Sequence, residues 1–140
     1  QDVLHFQNAG IPVVLVDASH PSLPHVVVDN VRGGYYATKH LLDLGHRKIG
    51  FISDYLTTHF NHTPVQDRLI GYKQALAEAN ILFRPDYYVQ GEHGRLPARA
   101  MTHQLLDVSN PPTAIFAYSD TQAIGAIEAA RERGLIVPDD

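Results

Sequence analysis

The chain has 140 residues, a net charge of −4 and no cysteine, and these values exclude several classes of protein. The negative balance argues against a nucleic-acid-binding module in its own right, because neutralising phosphates requires a stripe of Lys and Arg. Without cysteine there is no disulfide framework and no thiol chemistry, which fits a cytoplasmic location. No apolar run approaches the roughly 18 residues of a membrane span, so we expect no membrane partner.

The predicted elements alternate between strands and helices along the chain. In chain order they are a helix end at 3–10, strands at 11–16 and 26–28, a helix at 31–44, a strand at 48–53, a helix at 65–79, a strand at 87–89, a helix at 96–107, a strand at 113–117 and a helix at 120–133. The continuous apolar run at 11–16 predicts a buried strand. Gly45, Asn80 and Gly134 are predicted to end helices in the left-handed conformation. Strands separated by helices of this length predict βαβ units, hence an α/β fold with a parallel sheet flanked by helices.

The segment 111–126 is the most informative part of the chain, since an apolar strand runs directly into a helix there. Ser119 and Asp120 lie in the turn between them, at the carboxyl end of the strand, where open α/β sheets bind ligands. A second explanation needs no ligand. Ser119 with Gln122 forms a capping-box pattern, and Asp120 in the first turn interacts favourably with the helix dipole. Both explanations stay open, because a helix cap can also contact a ligand.

Motifs for catalysis, nucleotide binding and metal binding are not supported. The strand-to-helix turns carry no G-x-S-x-G, G-x-G-x-x-G or G-x-x-x-x-G-K-[ST] pattern. His59 and His62 are three residues apart, but catalytic zinc needs about three convergent protein ligands, and nothing fixes a third. We therefore expect no cofactor, no metal and no enzymatic activity.

Six blocks of the chain, in order, resemble the lactose-repressor/galactose-repressor (LacI/GalR) family of transcription factors. They are 11–17 (IPVVLVD), 28–34 (VDNVRGG), 44–52 (LGHRKIGFI), 68–76 (RLIGYKQAL), 111–126 (PPTAIFAYSDTQAIGA) and 134–140 (GLIVPDD). The stretch from the first block to the last spans nearly the whole chain. The order and spacing of the six blocks carry the resemblance, because no single block is decisive.

The resemblance implies the effector-binding core of such a regulator, with the fold of type I periplasmic binding proteins and ligand held between two α/β lobes. Residues 1–30 would be the tail of the first lobe with the crossover, and residues 31–140 most of the second. The core would then be incomplete, and the chain a segment of a longer protein. Operator DNA would be contacted only through an upstream helix-turn-helix. These regulators act as homodimers, and Ile124 and Ile127 are the expected contacts with a second subunit.

The resemblance also implies the effector-binding residues. Arg68 matches the family's effector arginine, and its planar fork could hold a hydroxyl pair, a carboxylate or a base edge, although a solvated surface arginine is the alternative. Ser119 and Asp120 match an Asn-Asp or Ser-Asp pair of the family, whose first residue tends to face the ligand. Asp17 and Asp29 each follow a strand, as turn formers or as hydroxyl acceptors, and the family favours Asp29.

A histidine takes the place where the family often stacks an aromatic ring on the ligand. His93 could stack or form hydrogen bonds there, and an exposed loop histidine is the alternative. Phe60 and His62 precede Arg68 and could line the same cleft.

The resemblance therefore implies a sensor of a small polar metabolite, most often a sugar or sugar phosphate in this family. Two other functions remain open. One is a periplasmic sugar-binding protein of the same fold, which a secretory signal upstream would distinguish. The other is a doubly wound enzyme, which would need a paired acid and base or a nucleophile at the carboxyl edge of the sheet, where only isolated carboxylates are found.

Overall fold

The computed structural model describes residues 2–55 and 64–140. These residues form two compact units, one up to residue 29 and the other from residue 30 onwards. No helix among the described residues combines the length and the apolar character needed to cross a bilayer.

The first unit holds one helix and one pair of parallel strands. Helix α1 spans Asp2–Asn8, and the two-residue strands β1 (Leu15–Val16) and β2 (His25–Val26) pair with Leu15 opposite His25. The helix near the start is confirmed, but the prediction of a buried strand at 11–16 is wrong. Val14 and Val16 are 61% and 77% exposed. Burying a strand on both faces requires covering layers, and one short helix with one partner strand cannot supply them.

The second unit contains a parallel sheet and four long helices, which confirms the α/β prediction. In chain order its elements are α2 (Asn30–Asp43), β3 (Ile49–Asp54), α3 (Pro64–Glu78), a 3₁₀ turn (Pro85–Tyr87), β4 (Tyr88–Gly91), α4 (Arg95–Leu106), β5 (Ala114–Ala117) and α5 (Asp120–Glu132). The three strands are ordered β4-β3-β5, so β3 lies at the centre. Apart from β4 and the 3₁₀ turn, which was not predicted, the predicted bounds in this unit differ from these by at most one residue.

Strand β3 divides the core of this unit into two layers. Successive side chains of a strand point to opposite faces. Ile49 and Phe51 accordingly join the cluster formed with α3, whereas Ile52 joins the cluster formed with α4 and α5. Phe51 is fully buried and stacks on Phe116 with ring centroids 4.5 Å apart. The next residue on the α4–α5 side is Asp54, so the same alternation directs its carboxylate toward that layer.

The three predicted helix ends are confirmed. Gly45, Asn80 and Gly134 have φ values of 96°, 57° and 75°. At each end two backbone N–H groups bond back to the last turn, as when His46 N donates to the Leu41 carbonyl at 3.1 Å. The six-to-one and five-to-two bonds of the Schellman motif satisfy carbonyls that the helix leaves unpaired.

Two glycines let helices α2 and α3 cross in backbone contact. A Cβ atom on Gly34 would lie 2.2 Å from the Arg68 carbonyl oxygen, and one on Gly71 would lie 2.0 Å from the Val31 carbonyl oxygen. Real Cβ atoms essentially never approach a neighbour within 3.0 Å. The small residues at this crossing therefore fix where the Arg68 backbone lies relative to α2.

Candidate functional site

The parallel strands of the second unit end together at one edge of the sheet. Asp54, the last residue of β3, pairs in register with Gly91 of β4, and Ile52 pairs with Ala117 of β5. We call this the carboxyl edge, formed by Asp54, Gly91 and Ala117 with the turns that follow them. Ligands of open α/β sheets bind at such an edge because the loops leave polar groups and helix N-termini there.

Arg68 reaches this edge from α3 and is held there by three contacts. Its Nε donates to Asn30 Oδ1 at 2.9 Å, and its Nη1 donates to the Tyr118 carbonyl oxygen. The guanidinium carbon lies 4.6 Å from the centre of the Tyr118 ring, within the range of a cation–π contact. These contacts orient the planar cation before any ligand arrives, so Arg68 is not the solvated surface arginine that the sequence left open.

Ser119 and Asp120 begin helix α5, as the sequence predicts, but the capping box is only half formed. Ser119 Oγ accepts from Gln122 N at 3.3 Å. In the complete motif the Gln122 side chain would return to the Ser119 backbone N–H. Instead Gln122 Nε2 donates to Asp54 Oδ1 at 2.8 Å. A hydrogen bond to a carboxylate is roughly twice as strong as one between neutral groups, which explains why the amide turns toward Asp54.

Arg68, Ser119 and Asp120 line a single groove of about 860 Å³. Its walls are mostly apolar and come from α2, β5, α5 and the segment after α5; they include Leu41, Ile115, Ile127 and Leu135. The three polar residues lie where this groove meets the carboxyl edge. The groove follows the outer side of β5, which is an edge strand among the described residues, so its apolar part is an uncovered sheet edge and only its polar end lies at the carboxyl edge.

Asp54 is a residue of the carboxyl edge that the sequence did not lead us to name as a candidate. Its side chain is 24% exposed and accepts the hydrogen bond from Gln122. On the β4 side, His93 Nδ1 lies 3.0 Å from Asp54 Oδ2. The signal that could have found it was present, since a carboxylate ends an apolar strand here just as Asp17 and Asp29 follow theirs.

These contacts form one row across the carboxyl edge, joined by hydrogen bonds and by the peptide bond between Tyr118 and Ser119. From the α2–α3 side to β4 the row contains Asn30, Arg68, Tyr118, Ser119, Gln122, Asp54 and His93. His93 is the exposed loop histidine of the alternative interpretation, with 60% of its side chain accessible, yet it is tied to the row through Asp54. Burial raises the pKa of Tyr88 on β4, and the hydrogen bond that Ser53 donates to its hydroxyl offsets only part of this rise.

The other predicted site residues belong to the first unit or lie outside the described residues. Asp17 and Asp29 belong to the first unit, where Asp17 has a left-handed backbone with φ of 57°. Their convergence with Arg68 stays a prediction. Phe60, His59 and His62 lie outside the described residues. Within residues 2–55 and 64–140, no three His, Asp or Glu side chains could together hold a metal ion.

Comparison with known proteins places this geometry in a family. The model of the periplasmic binding protein-like domain matches residues 38–140. The HTH-type transcriptional regulator DegA of Bacillus subtilis is 42% identical over 132 residues, which are 93% of this chain and 38% of that protein. The chain thus spans well under half the length of that curated relative.

Solved structures agree with this assignment. A LacI-family regulatory protein from Chloroflexus aggregans is 35% identical with a TM-score of 0.84, over 99% of this chain and 49% of that one. A LacI-family regulator from Enterococcus faecium, solved with bound ribose, is 28% identical with a TM-score of 0.83, over 96% and 49% of the two chains. The chain therefore belongs to the periplasmic binding protein-like domain family and corresponds to part of the effector-binding core of LacI-family transcription regulators.

Proposed function

We propose that this chain is the ligand-sensing part of a LacI/GalR-type transcription regulator and binds a small polar, sugar-like metabolite at the carboxyl edge. The observation that carries the proposal is the row of preoriented polar side chains from Arg68 to His93. The ribose bound by the Enterococcus faecium neighbour supports a sugar-like ligand.

Each predicted site residue has a role in this proposal. Arg68 donates hydrogen bonds to the ligand from a fork whose position Asn30 and Tyr118 fix. Ser119 and Asp120 contact the ligand from the N-terminus of α5 while capping that helix. His93 donates or accepts at the β4 end, in place of a stacked aromatic ring.

Asp29 and Asp17 of the first unit also contact the ligand in this proposal. Asp29 accepts from a ligand hydroxyl, and Asp17 is the weaker candidate for the same role. Residues 1–30 then belong to the first lobe and residues 31–140 to the second. A ligand that binds one arrangement of the lobes better than the other shifts the equilibrium between them. Such coupling between sites is typically about 1–3 kcal/mol.

The remaining parts of the proposal concern the whole protein. It works in the cytoplasm as a homodimer, with Ile124, which is 51% exposed, among the contacts between subunits. Operator DNA is bound by an upstream helix-turn-helix rather than by this chain. The domain binds its ligand without chemical conversion.

Substitution of Arg68 tests the proposed site. We expect Arg68→Ala to abolish the effect of the effector on operator binding and to leave the fold intact, because the arginine contacts only the site and its immediate support. Arg68→Lys is the matched control, since it keeps the charge and loses the planar fork. Calorimetry on the full-length protein measures ligand affinity, and circular dichroism checks the fold. An Arg68→Ala variant with unaltered ligand affinity would refute the role of Arg68.

A further inference from the structure

The Asp54 carboxylate is fixed from two sides at the centre of the carboxyl edge. Gln122 Nε2 donates to Oδ1 at 2.8 Å from α5, and His93 Nδ1 lies 3.0 Å from Oδ2 on the β4 side. The backbone around it is held as well, since Gln90 Nε2 donates to the Asp54 carbonyl oxygen at 3.4 Å. The carboxylate is therefore preoriented, which is the property expected of a group that recognises a ligand.

The Gln122 amide nitrogen donates to the Asp54 carboxylate, and in this orientation the amide oxygen has no hydrogen-bond partner among the described residues. Gln122 is fully buried. Reversing the amide would place Oε1 against the negative Asp54 oxygen, so the amide nitrogen must face Asp54. A buried polar atom without a partner calls for an explanation, and a carboxylate that has to be held in place for binding supplies one.

Asp54 keeps acceptor capacity for a ligand. An ionised carboxylate has about four acceptor positions. Gln122 and His93 account for part of that capacity, and 24% of the side chain remains exposed at the carboxyl edge. Hydroxyl groups can donate to the remaining positions, whereas phosphate or carboxylate oxygens cannot.

The charges near Asp54 also favour an uncharged ligand over an anionic one. Arg68 is the one cation among the row's described residues, histidine aside, and two of its nitrogens already donate to Asn30 and Tyr118. Asp54 and the exposed Asp120 each contribute a carboxylate. Exposed Glu92 follows Gly91 at the end of β4 and contributes a third. Arg95, which begins α4, is paired with Glu128. Among these described residues the three carboxylates therefore outnumber the Arg68 guanidinium.

We infer that Asp54 is a specificity-determining residue that accepts hydrogen bonds from the hydroxyl groups of an uncharged sugar and disfavours phosphorylated or carboxylated ligands. Gln122 acts as a positioning residue for it. This inference rests on the proposed function, since it names the ligand class of the same site.

Paired ligands test the inference by calorimetry on the full-length protein. The panel is D-ribose, D-glucose and D-fructose, each with its terminal phosphate ester, together with cellobiose. We expect a neutral sugar to bind at least about tenfold more tightly than its ester. Asp54→Asn keeps the shape of the side chain. It should weaken the binding of that sugar about ten- to hundredfold, the usual range for a hydrogen bond to a charged group. It should also reduce the preference for the sugar over its phosphate ester.

Two controls separate recognition from folding. Gln122→Met fills the same volume without the amide, so we expect a melting temperature equal to or above that of the wild type. It should still reduce the preference for the neutral sugar over its phosphate ester. Asp43→Asn removes an exposed carboxylate on α2, paired with Lys39, and should change nothing in the panel.

The outcomes distinguish this inference from the proposed function. Tighter binding of an ester than of its neutral sugar overturns the inference and leaves the proposed sensor in place. If Asp54→Asn leaves the preference for the neutral sugar over its ester unchanged, the inference is also overturned. If no member of the panel binds the wild-type protein, the proposed function fails, and the inference fails with it.

Discussion

Adding one methyl group at the crossing of α2 and α3 should destabilise the second unit and displace Arg68. In Gly34→Ala the new Cβ would lie 2.2 Å from the Arg68 carbonyl oxygen and 2.8 Å from its carbonyl carbon. To bring the nearer contact to 3.0 Å, the helices must separate by about 0.8 Å. The obstacle is backbone on both sides, so no side-chain rotation relieves it.

The magnitude follows from two opposing terms. Overpacking of this kind costs about 1–3 kcal/mol, and a clash between two backbones lies at the upper end of that range. Alanine in a helix interior recovers up to about 1 kcal/mol relative to glycine. We therefore expect Gly34→Ala to lower the free energy of unfolding by roughly 2 kcal/mol, or the melting temperature by about 4–8 °C.

The adjacent glycine provides the control. A Cβ on Gly33 meets nothing within 4 Å, so Gly33→Ala should raise the free energy of unfolding by about 0.5–1 kcal/mol. Urea and thermal unfolding followed by circular dichroism measure both variants. If Gly34→Ala proves as stable as Gly33→Ala, the close helix crossing, and with it this account of how Arg68 is positioned, is wrong.

Three further predictions concern the core, a helix end and the contacts between helices. Phe51→Ala should cost about 3–5 kcal/mol in urea unfolding because Phe51 is fully buried, and a loss under about 1 kcal/mol would contradict the core assignment. Gly45→Ala should cost about 1–2 kcal/mol because φ is +96°, whereas Gly45→Asn should cost less; equal losses would argue against the left-handed cap. The hydrogen bond with His103, and then that from Arg99, hold the pKa of Glu132 in the folded protein below its usual 4.5. The ionised Glu132 carboxylate therefore stabilises the folded state above about pH 4.5, and this contribution is lost as the pH falls through the lower pKa of the folded state. Glu132→Gln should therefore lose less of its unfolding free energy than the wild type between pH 6 and about pH 3, and parallel pH profiles would refute the contact.

The sequence predicted those features of the fold that local chemistry decides. The ends of three helices depend on one residue each and on hydrogen bonds within a single turn, so Gly45, Asn80 and Gly134 were identified correctly. The strand at 11–16 was predicted as buried because its composition is apolar. Burial depends on what covers a strand, and a local pattern carries no information on that.

The site was predicted only in part, for the same reason. Arg68, Ser119 and Asp120 were named, and they line one groove. Gln122 was assigned to a capping box because its partner in the structure, Asp54, lies 68 positions away in the chain. Asp54 itself follows an apolar strand, so the rule applied to Asp17 and Asp29 would have found it.

A crystal structure of the full-length protein grown with the tightest-binding neutral sugar of the panel is the most direct test. The account predicts sugar hydroxyls within hydrogen-bond distance of both the Arg68 guanidinium and the Asp54 carboxylate, with the ring lying across the ends of β3 and β5. Sugar bound elsewhere, with the hydrogen bonds of Arg68 and Asp54 unchanged and solvent covering the carboxyl edge, would contradict it.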